Sequence, residues 1–135
     1  MTDRQTSLTQ AVQRYLDLCQ DNDLSRFDRV FRPTAQLHGF VEGVLKKSTA
    51  AEFRDGFLSR PSPISQGSPR ADEILLMDFA SDTQAMTKLR LRINNTIYVD
   101  YLTWHRIDGE WLITAKGFHI EAATPAQTLA TIRTS

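Results

Sequence analysis

Four polar residues lie among apolar neighbours in this sequence and are of types that could act on a bound molecule: Tyr15, His38, Asp100 and His119. Imidazole titrates near neutral pH, so either histidine could serve as a general base. A tyrosine hydroxyl and a carboxyl group in apolar surroundings can stabilise an oxyanion or transfer a proton. Each residue also has a plain structural interpretation, as a core tyrosine, a paired aspartate or a surface histidine.

Asp100 interrupts the apolar run Ile97–Leu102, where a carboxylate would be partly desolvated. Such a group is suited to donating a hydrogen bond or to shuttling a proton. It could equally be paired across a sheet with Lys88 or Arg90, which alternate on a neighbouring strand. The pattern leaves both interpretations open.

Composition excludes several classes of protein. A chain of 135 residues suits one small domain, and its 16 basic and 16 acidic residues give no net charge to attract nucleic acid. The single cysteine, Cys19, excludes an internal disulfide and fits a reducing compartment. No apolar run approaches the ~18 residues of a membrane span, and the first residues lack the apolar core of a signal peptide. We therefore expect a cytoplasmic protein with no membrane or nucleic-acid partner.

Motifs of common metal and cofactor sites are missing from the sequence. It contains no phosphate-binding glycine loop, no CxxC, no HExxH and no G-x-S-x-G. The three histidines, His38, His105 and His119, are not at metal-ligand spacing. The sequence predicts neither a metal nor a cofactor.

The chain before the prolines at 61 and 63 is patterned mainly as helices, with apolar residues at three- and four-residue spacing. One or two short strands are expected among the helices, over 36–40 and 41–45, broken by glycines where a bend is easily made. Three helices are predicted: one from a Ser7 cap to about Gln20, one from Leu24 that Pro33 ends, and one after the capping sequence Thr49–Glu52.

After residue 70 the apolar period changes to two, which indicates strands. Turn-forming pairs separate four runs into an antiparallel meander, 74–79, 85–94, 96–107 and 111–120. The proline-rich segment 59–70 is expected to be either a rim or lid over a site or a disordered connection. Residues 122–135 are expected to form a loosely held tail.

Helices followed by a long meander predict an α+β fold in which the helices cover one face of the sheet. A pocket can then form where the sheet curls around them. The strand 96–107 is apolar on both faces: Ile97, Val99, Tyr101 and Ile107 on one, and Tyr98, Leu102 and Trp104 on the other. The second apolar face predicts a homodimer joined through the sheets.

The element order resembles the nuclear transport factor 2-like superfamily, in the "putative lumazine-binding" branch beside the SnoaL-like proteins. The most specific segments are Asp100-Tyr-Leu-Thr, Asp108-Gly-Glu-Trp-Leu-Ile113 and Lys116-Gly-Phe118. The resemblance implies a cone-shaped α+β domain with three N-terminal helices packed in a strongly curved antiparallel or mixed sheet. It implies a single domain over 1–135 with its core at about 8–121, a cavity at the open end, and frequent dimers.

Ketosteroid isomerase is the sharpest comparison in that superfamily. By resemblance, Tyr15 matches its oxyanion tyrosine and Asp100 its partner carboxylic acid. The catalytic aspartate of the pattern falls on Gly39, and the adjacent His38 is expected to point to the opposite face. His119 is therefore the best substitute base that the sequence offers.

The sequence thus predicts a pocket for a small apolar or ring-containing molecule. Six apolar side chains are its expected walls: Phe31, Phe57, Tyr98, Leu102, Trp104 and Phe118. Proton-transfer catalysis of the isomerase, dehydratase or cyclase kind and simple binding are both open. A dimeric interaction domain without a functional cavity is the alternative.

Overall fold

The computed structural model describes residues 2–123, which form two α-helices, a short 3₁₀ helix and one six-stranded sheet. The elements run in the order α1 (Asp3–Asp21), the 3₁₀ helix (Leu24–Arg29), β1 (Phe31–Val41), β2 (Val44–Thr49), α2 (Ala50–Ser59), β3 (Asp72–Phe79), β4 (Gln84–Ile93), β5 (Thr96–Ile107) and β6 (Glu110–Ala123). The predicted α+β fold and four-stranded meander are confirmed. Helices pack in the hollow of a curved open sheet.

Helix α1 begins earlier than its apolar pattern predicts. Thr2 is its cap: the hydroxyl accepts from the backbone N–H of Gln5, whose side chain accepts in return from the Thr2 backbone. The prediction of Ser7 as the cap is wrong, because Ser7 lies inside the helix. Its hydroxyl accepts a hydrogen bond of 3.0 Å from the indole of Trp111.

Helix α2 begins where the sequence predicts. The Thr49 hydroxyl accepts from the backbone of Glu52, and the Glu52 carboxylate accepts from the backbone of Thr49. Two reciprocal hydrogen bonds satisfy amides that the first helical turn leaves unpaired. This end of α2 therefore follows from sequence alone.

Strand β1 contains the residue expected to end the second helix. The 3₁₀ helix ends at Arg29, and Pro33 lies inside β1. A register shift between Phe31 and Gln36 in the pairing with β6 accommodates this proline, which cannot donate to a ladder. Gly39 does not break the strand either. The turn between β1 and β2 lies at Glu42 and Gly43, and the φ of +80° at Gly43 favours glycine.

The sheet has the order β2-β1-β6-β5-β4-β3. All neighbours are antiparallel except β1 and β6, which run parallel, so the sheet is mixed. A β-bulge interrupts the pairing of β5 and β6: Trp104 pairs with Ile113 and Thr103 with Ala115, which leaves Thr114 as the extra residue. Side chains of β6 therefore change face at Thr114.

The connection 60–71 is held by hydrogen bonds to the helix and the sheet. The Ile64 amide donates to the carbonyl of Gln20, and the Asn94 side chain donates to the carbonyl of Pro61. This connection is therefore an ordered rim, and the expectation of disorder is wrong. The predicted tail is also wrong at its start, since β6 extends to Ala123, and 124–135 lie outside the residues described. Neither helix of 2–123 is both long and apolar enough to cross a membrane.

Candidate functional site

A cavity of about 280 Å³ opens between β1, β2, α2 and the inner faces of β5 and β6. Most of its wall is apolar, with a few charged groups among the apolar ones, which is the usual make-up of a small-molecule site. Its lining residues are Leu37, Val41, Lys46, Ser48, Phe53, Arg60, Ile93, Tyr98, Asp100, Lys116, Phe118 and Ile120.

Asp100 is 1% exposed and lies at the inner end of this cavity. The Tyr15 hydroxyl donates a hydrogen bond to Oδ2 of Asp100, and the Lys116 ammonium lies 3.8 Å from the same oxygen. The other oxygen, Oδ1, is buried and has no hydrogen-bond partner among residues 2–123. One carboxylate oxygen is thus held in place by two neighbours, while the other has no partner among the described residues.

The prediction that Asp100 pairs across the sheet with Lys88 or Arg90 is wrong. Lys88 lies over the ring of Tyr101 at 5.4 Å, and Arg90 binds carboxylates on the outer face of the sheet. Alternation explains the difference, because neighbouring residues on a strand point to opposite faces. Asp100 points inward, so its cation comes from the inner face of β6.

Lys116 is one of three ionisable lining residues that the sequence prediction missed. It is 7% exposed, and its ammonium lies 4.3 Å from the centre of the Phe53 ring and 5.2 Å from that of Tyr15. Aromatic faces attract a cation, and the Asp100 carboxylate offsets part of the cost of burying it. The resulting group is a charged pair beside an apolar cavity.

The bulge at Thr114 explains why Lys116 was missed. Trp111 and Ile113 are buried, so unbroken alternation would place His119 inside and Lys116 outside. The extra residue reverses this order, and Lys116, Phe118 and Ile120 line the cavity instead. Only the pairing of β6 with β5 reveals the reversal.

Neither histidine predicted as a base reaches the cavity. His119 lies between two lining residues of β6 and is exposed on the outer face. His38 is also exposed, next to the buried Leu37, as its alternation with Gly39 predicts. His105 lies outside the lining too, where its Nδ1 is 2.6 Å from the Thr114 hydroxyl. Both assignments as a base are corrected.

Two of the six predicted wall residues line the cavity, Tyr98 and Phe118, whose rings meet edge to face at 6.3 Å. The other four, Leu102, Trp104, Phe31 and Phe57, are at most 3% exposed and belong to the core. They lie where helix side chains cover the sheet completely. Phe31, for example, packs against the rings of Tyr15 and Phe27.

Burial shifts the titration of the groups behind Asp100. It raises the pKa of Tyr15 well above its ordinary value, and the neighbouring Asp100 charge raises it further. Burial likewise raises the pKa of the Cys19 thiol to about 11. Tyr15 is therefore a neutral phenol at physiological pH and a steady donor to Asp100.

Cations outnumber carboxylates in the lining, because Lys46, Arg60 and Lys116 face a single acidic residue, Asp100. Lys46 and Arg60 were not among the predicted site residues, since neither stands in a patterned segment that indicates a pocket. Within 2–123, no three His, Cys, Asp or Glu side chains are placed to hold a metal ion.

A sequence model of the family described as "Putative lumazine-binding" matches residues 3–119. The chain is also 28% identical over 110 residues to "Aldolase FrzH" of a Cladobotryum species, an alignment that covers 78% of this chain and 82% of that protein.

Solved structures share the fold. A structure of an NTF2-like protein of unknown function from Silicibacter pomeroyi has a TM-score of 0.80 at 21% identity, over 90% of this chain and 100% of that one. A ketosteroid isomerase-like protein from Erwinia carotovora atroseptica has a TM-score of 0.71 at 14% identity, over 90% and 99%. The chain belongs to the "Putative lumazine-binding" family and shares the fold of the NTF2-like structures.

Proposed function

We propose that this member of the "Putative lumazine-binding" family binds a small apolar or ring-containing carbonyl compound and catalyses proton transfer beside the carbonyl group. One observation carries the proposal: Asp100 lines the cavity, and its Oδ1 is buried and has no hydrogen-bond partner in residues 2–123. A buried acceptor left unpaired costs free energy that a ligand proton would recover.

The arrangement supports a balanced enolisation step. Oδ1 of Asp100 accepts a proton from the carbon beside the carbonyl, and the electron pair of that C–H bond moves toward the carbonyl oxygen. The negative charge that develops on the carbonyl oxygen of the bound molecule is stabilised by the Lys116 ammonium, which lies 3.8 Å from Oδ2 of Asp100. The protonated Asp100 carboxyl group then returns its proton. Transfer to another carbon of the enolate completes an isomerisation, and transfer to the alkoxide that forms when the enolate attacks a second carbonyl completes an aldol addition.

Tyr15 is a positioning residue in this scheme. It is fully buried and donates to Oδ2, so it fixes the orientation of the carboxylate without reaching the cavity. The relative described as an aldolase supports the same chemistry, since aldol addition begins with an enolate or its equivalent.

The test is deuterium exchange of the carbon-bound protons of phenylacetone in heavy water, followed by proton NMR. Wild-type protein should accelerate exchange above the buffer rate, and Asp100→Asn should slow it by about a hundredfold to ten-thousandfold, the usual contribution of a general base. Lys116→Met should lower the rate constant while leaving a folded protein.

The matched control is His119→Gln, which removes a titratable group of the same strand on the opposite face. It should exchange phenylacetone at the wild-type rate. Equal rates for wild type and Asp100→Asn would overturn the assignment of the base. A His119→Gln rate as low as that of Asp100→Asn would return the role to the histidine.

A homodimer remains our proposal for the assembly of this domain over residues 1–135. Tyr101 is 47% exposed on the outer face of β5, and Leu76 on β3 is 48% exposed. Apolar side chains in such positions favour a covering partner. Light scattering coupled to gel filtration should give twice the 15.3 kDa mass of one chain, and Tyr101→Lys should reduce it to one. A monomeric wild type would contradict the dimer.

We also propose a cytoplasmic location, which fractionation of cells would check.

A further inference from the structure

Arg60 is half-buried at the mouth of the cavity, directly after helix α2. Its Nε and Nη2 atoms are both shielded from solvent, and neither has a hydrogen-bond partner among residues 2–123. A guanidinium carries its donors in a fixed planar fork, and unpaired buried donors are rare and costly. A side chain that lines a cavity and has two such unpaired donors requires a specific acceptor.

The two unpaired atoms lie on the same edge of the guanidinium. Elsewhere in this chain the same edge binds a carboxylate: Nε of Arg90 donates to Glu121 at 3.1 Å, and Nη2 of Arg90 donates to it at 3.2 Å. Arg60, a lining residue of the cavity, thus has unpaired the same two donors that Arg90 uses on the outer face. Two parallel N–H donors match the two oxygens of a carboxylate.

Neighbouring residues hold Arg60 in this position. The side-chain amide of Asn22 donates to the carbonyl of Arg60 at 3.2 Å and to that of Phe57 at 3.3 Å. The guanidinium carbon lies 4.5 Å above the centre of the Phe57 ring. Asn22 is the residue that ends α1, with a φ of 55°, so the end of this helix supplies both hydrogen bonds. Such preorganisation lowers the entropy lost on binding.

The remaining charges of the cavity favour an anion as well. The Asp100 carboxylate already has Lys116 and Tyr15 as partners, so it leaves Arg60 uncompensated. Lys46 adds a further cation to the lining. The rest of the wall is mainly aliphatic and aromatic, which suits an apolar body attached to the charged group.

We propose that Arg60 is the carboxylate-binding residue of this site and that its ligands are small carboxylic acids with an apolar or ring body. The inference rests on the proposed function, because it assigns the substrate class of the same cavity. A neutral ligand would leave the Nε and Nη2 donors unpaired, so the site should discriminate acids from their amides.

Cinnamate and cinnamamide are suitable probes, because they share a ring and a planar body and differ in charge. Calorimetry should show that wild-type protein binds cinnamate at least about tenfold more tightly than cinnamamide, as expected for a charge-assisted bidentate contact. The Nε–H NMR resonance of Arg60 should shift with cinnamate and stay in place with cinnamamide. This second readout needs no variant.

Arg60→Met should bind cinnamate about tenfold more weakly and cinnamamide as well as wild type does. Arg60→Lys should lose most of the same affinity, since an ammonium keeps the charge but not the fork. Lys88→Met is the matched control: it removes one positive charge on the outer face and should leave both affinities unchanged.

Equal affinity for the two probes, together with an unmoved Arg60 resonance, would overturn the carboxylate inference and leave the pocket intact. It would show that water alone pairs with Arg60. If neither probe bound or shifted any cavity resonance, the small-molecule pocket would be overturned together with the carboxylate inference. If cinnamate bound at Arg60 as expected but Asp100→Asn left phenylacetone exchange unchanged, only the proposed catalysis would be lost.

Discussion

The inner face of β5 has two halves that look alike in sequence and differ in what covers them. Toward one end, Leu102 and Trp104 are at most 1% exposed and pack into the closed core. Toward the other, Tyr98 and Asp100 line the cavity. Trp104 also has an internal partner, since its indole donates to the Thr87 hydroxyl at 2.9 Å, whereas Oδ1 of Asp100 has no partner within 2–123.

The comparison teaches that a single strand has a closed half and a half that lines a cavity. Where α1 and the rings of Phe27 and Phe31 meet the sheet, the inner side chains of β5 are buried and the indole of Trp104 is paired. Beyond that part, the same strand lines the cavity, and one carboxylate oxygen of Asp100 has no partner among the described residues. Substitutions in the first half should therefore change stability, and substitutions in the second should change binding and rate.

Trp104→Ala should produce the largest loss of stability. Removing a fully buried tryptophan lowers the free energy of unfolding by about 3 to 5 kcal/mol. Tyr98→Ala, at the cavity, should cost clearly less because its side chain is only half-buried. Urea unfolding followed by circular dichroism measures both, and equal costs would contradict the division of the strand.

Alkaline pH should weaken the fold through the groups buried behind Asp100. The pKa of Cys19 is raised from 9.0 to about 11, so between these values the unfolded chain loses a proton that the folded chain keeps. Stability therefore falls as pH rises through this window, by about 3 kcal/mol for Cys19 at about 1.4 kcal/mol per pH unit. Below pH 9.0 this loss is not present.

Tyr15 should add to the alkaline loss, because its pKa is raised as well. Urea unfolding at several pH values should show the decline in wild type and a shallower one in Cys19→Ala. An identical decline in the variant would exclude Cys19 as a cause.

Tyr15→Phe should lower the free energy of unfolding by about 1.5 to 3 kcal/mol, the range for a hydrogen bond to a charged group. It should also lower the rate constant of phenylacetone exchange more than it changes the Michaelis constant, because Tyr15 orients Asp100 and does not touch the ligand. Tyr101→Phe is the control on the exposed face. A large change in the Michaelis constant alone would contradict the positioning role.

Gly39→Ala tests how tightly β1 and β6 approach beside the cavity. An added Cβ would overlap the ring and the carbonyl oxygen of Phe118, so the strand must shift at a cost of about 1 to 3 kcal/mol. Gly117→Ala is the matched control, since nothing lies within 4 Å of its Cβ. Thermal unfolding compares the two, and an unaffected Gly39→Ala protein would show that Phe118 can move freely.

His38→Gln and His119→Gln should have the smallest effects. Both side chains are exposed on the outer face, where substitutions usually change stability by less than about 0.5 kcal/mol. Neither should alter cinnamate affinity by calorimetry. A loss of affinity in either variant would indicate that the strand presents its other face to the ligand.

Local signals predicted much of the fold. The reciprocal Thr49 and Glu52 hydrogen bonds and the turns between β3, β4, β5 and β6 depend only on neighbouring residues, so the sequence contained them. The start of α1 was missed because Thr2 and Gln5 precede the apolar stripe that marks the helix. Pro33 was misread because the irregular pairing that tolerates it is a property of two strands.

The site depended more on long-range structure. The meeting of Tyr15 and Asp100 was expected through the family resemblance, since they are far apart in the chain. Lys116 and Arg60 were missed for different reasons: a bulge reverses the face of the first, and a loop with no periodic pattern contains the second. The sequence signal that could have identified Lys116 is a single lysine within a strand of mainly apolar residues.

The bulge at Thr114 makes the chemistry of the cavity depend on the pairing of β6 as well as on the identity of its residues. If β6 kept all its residues but paired without the bulge, Thr114 would lie opposite Thr103, Lys116 would turn outward and His119 would turn inward. Deleting Thr114 would instead leave Lys116 opposite Leu102 and inside, in simple alternation. A change of register alone would thus exchange an ammonium for an imidazole in the cavity wall, without any substitution.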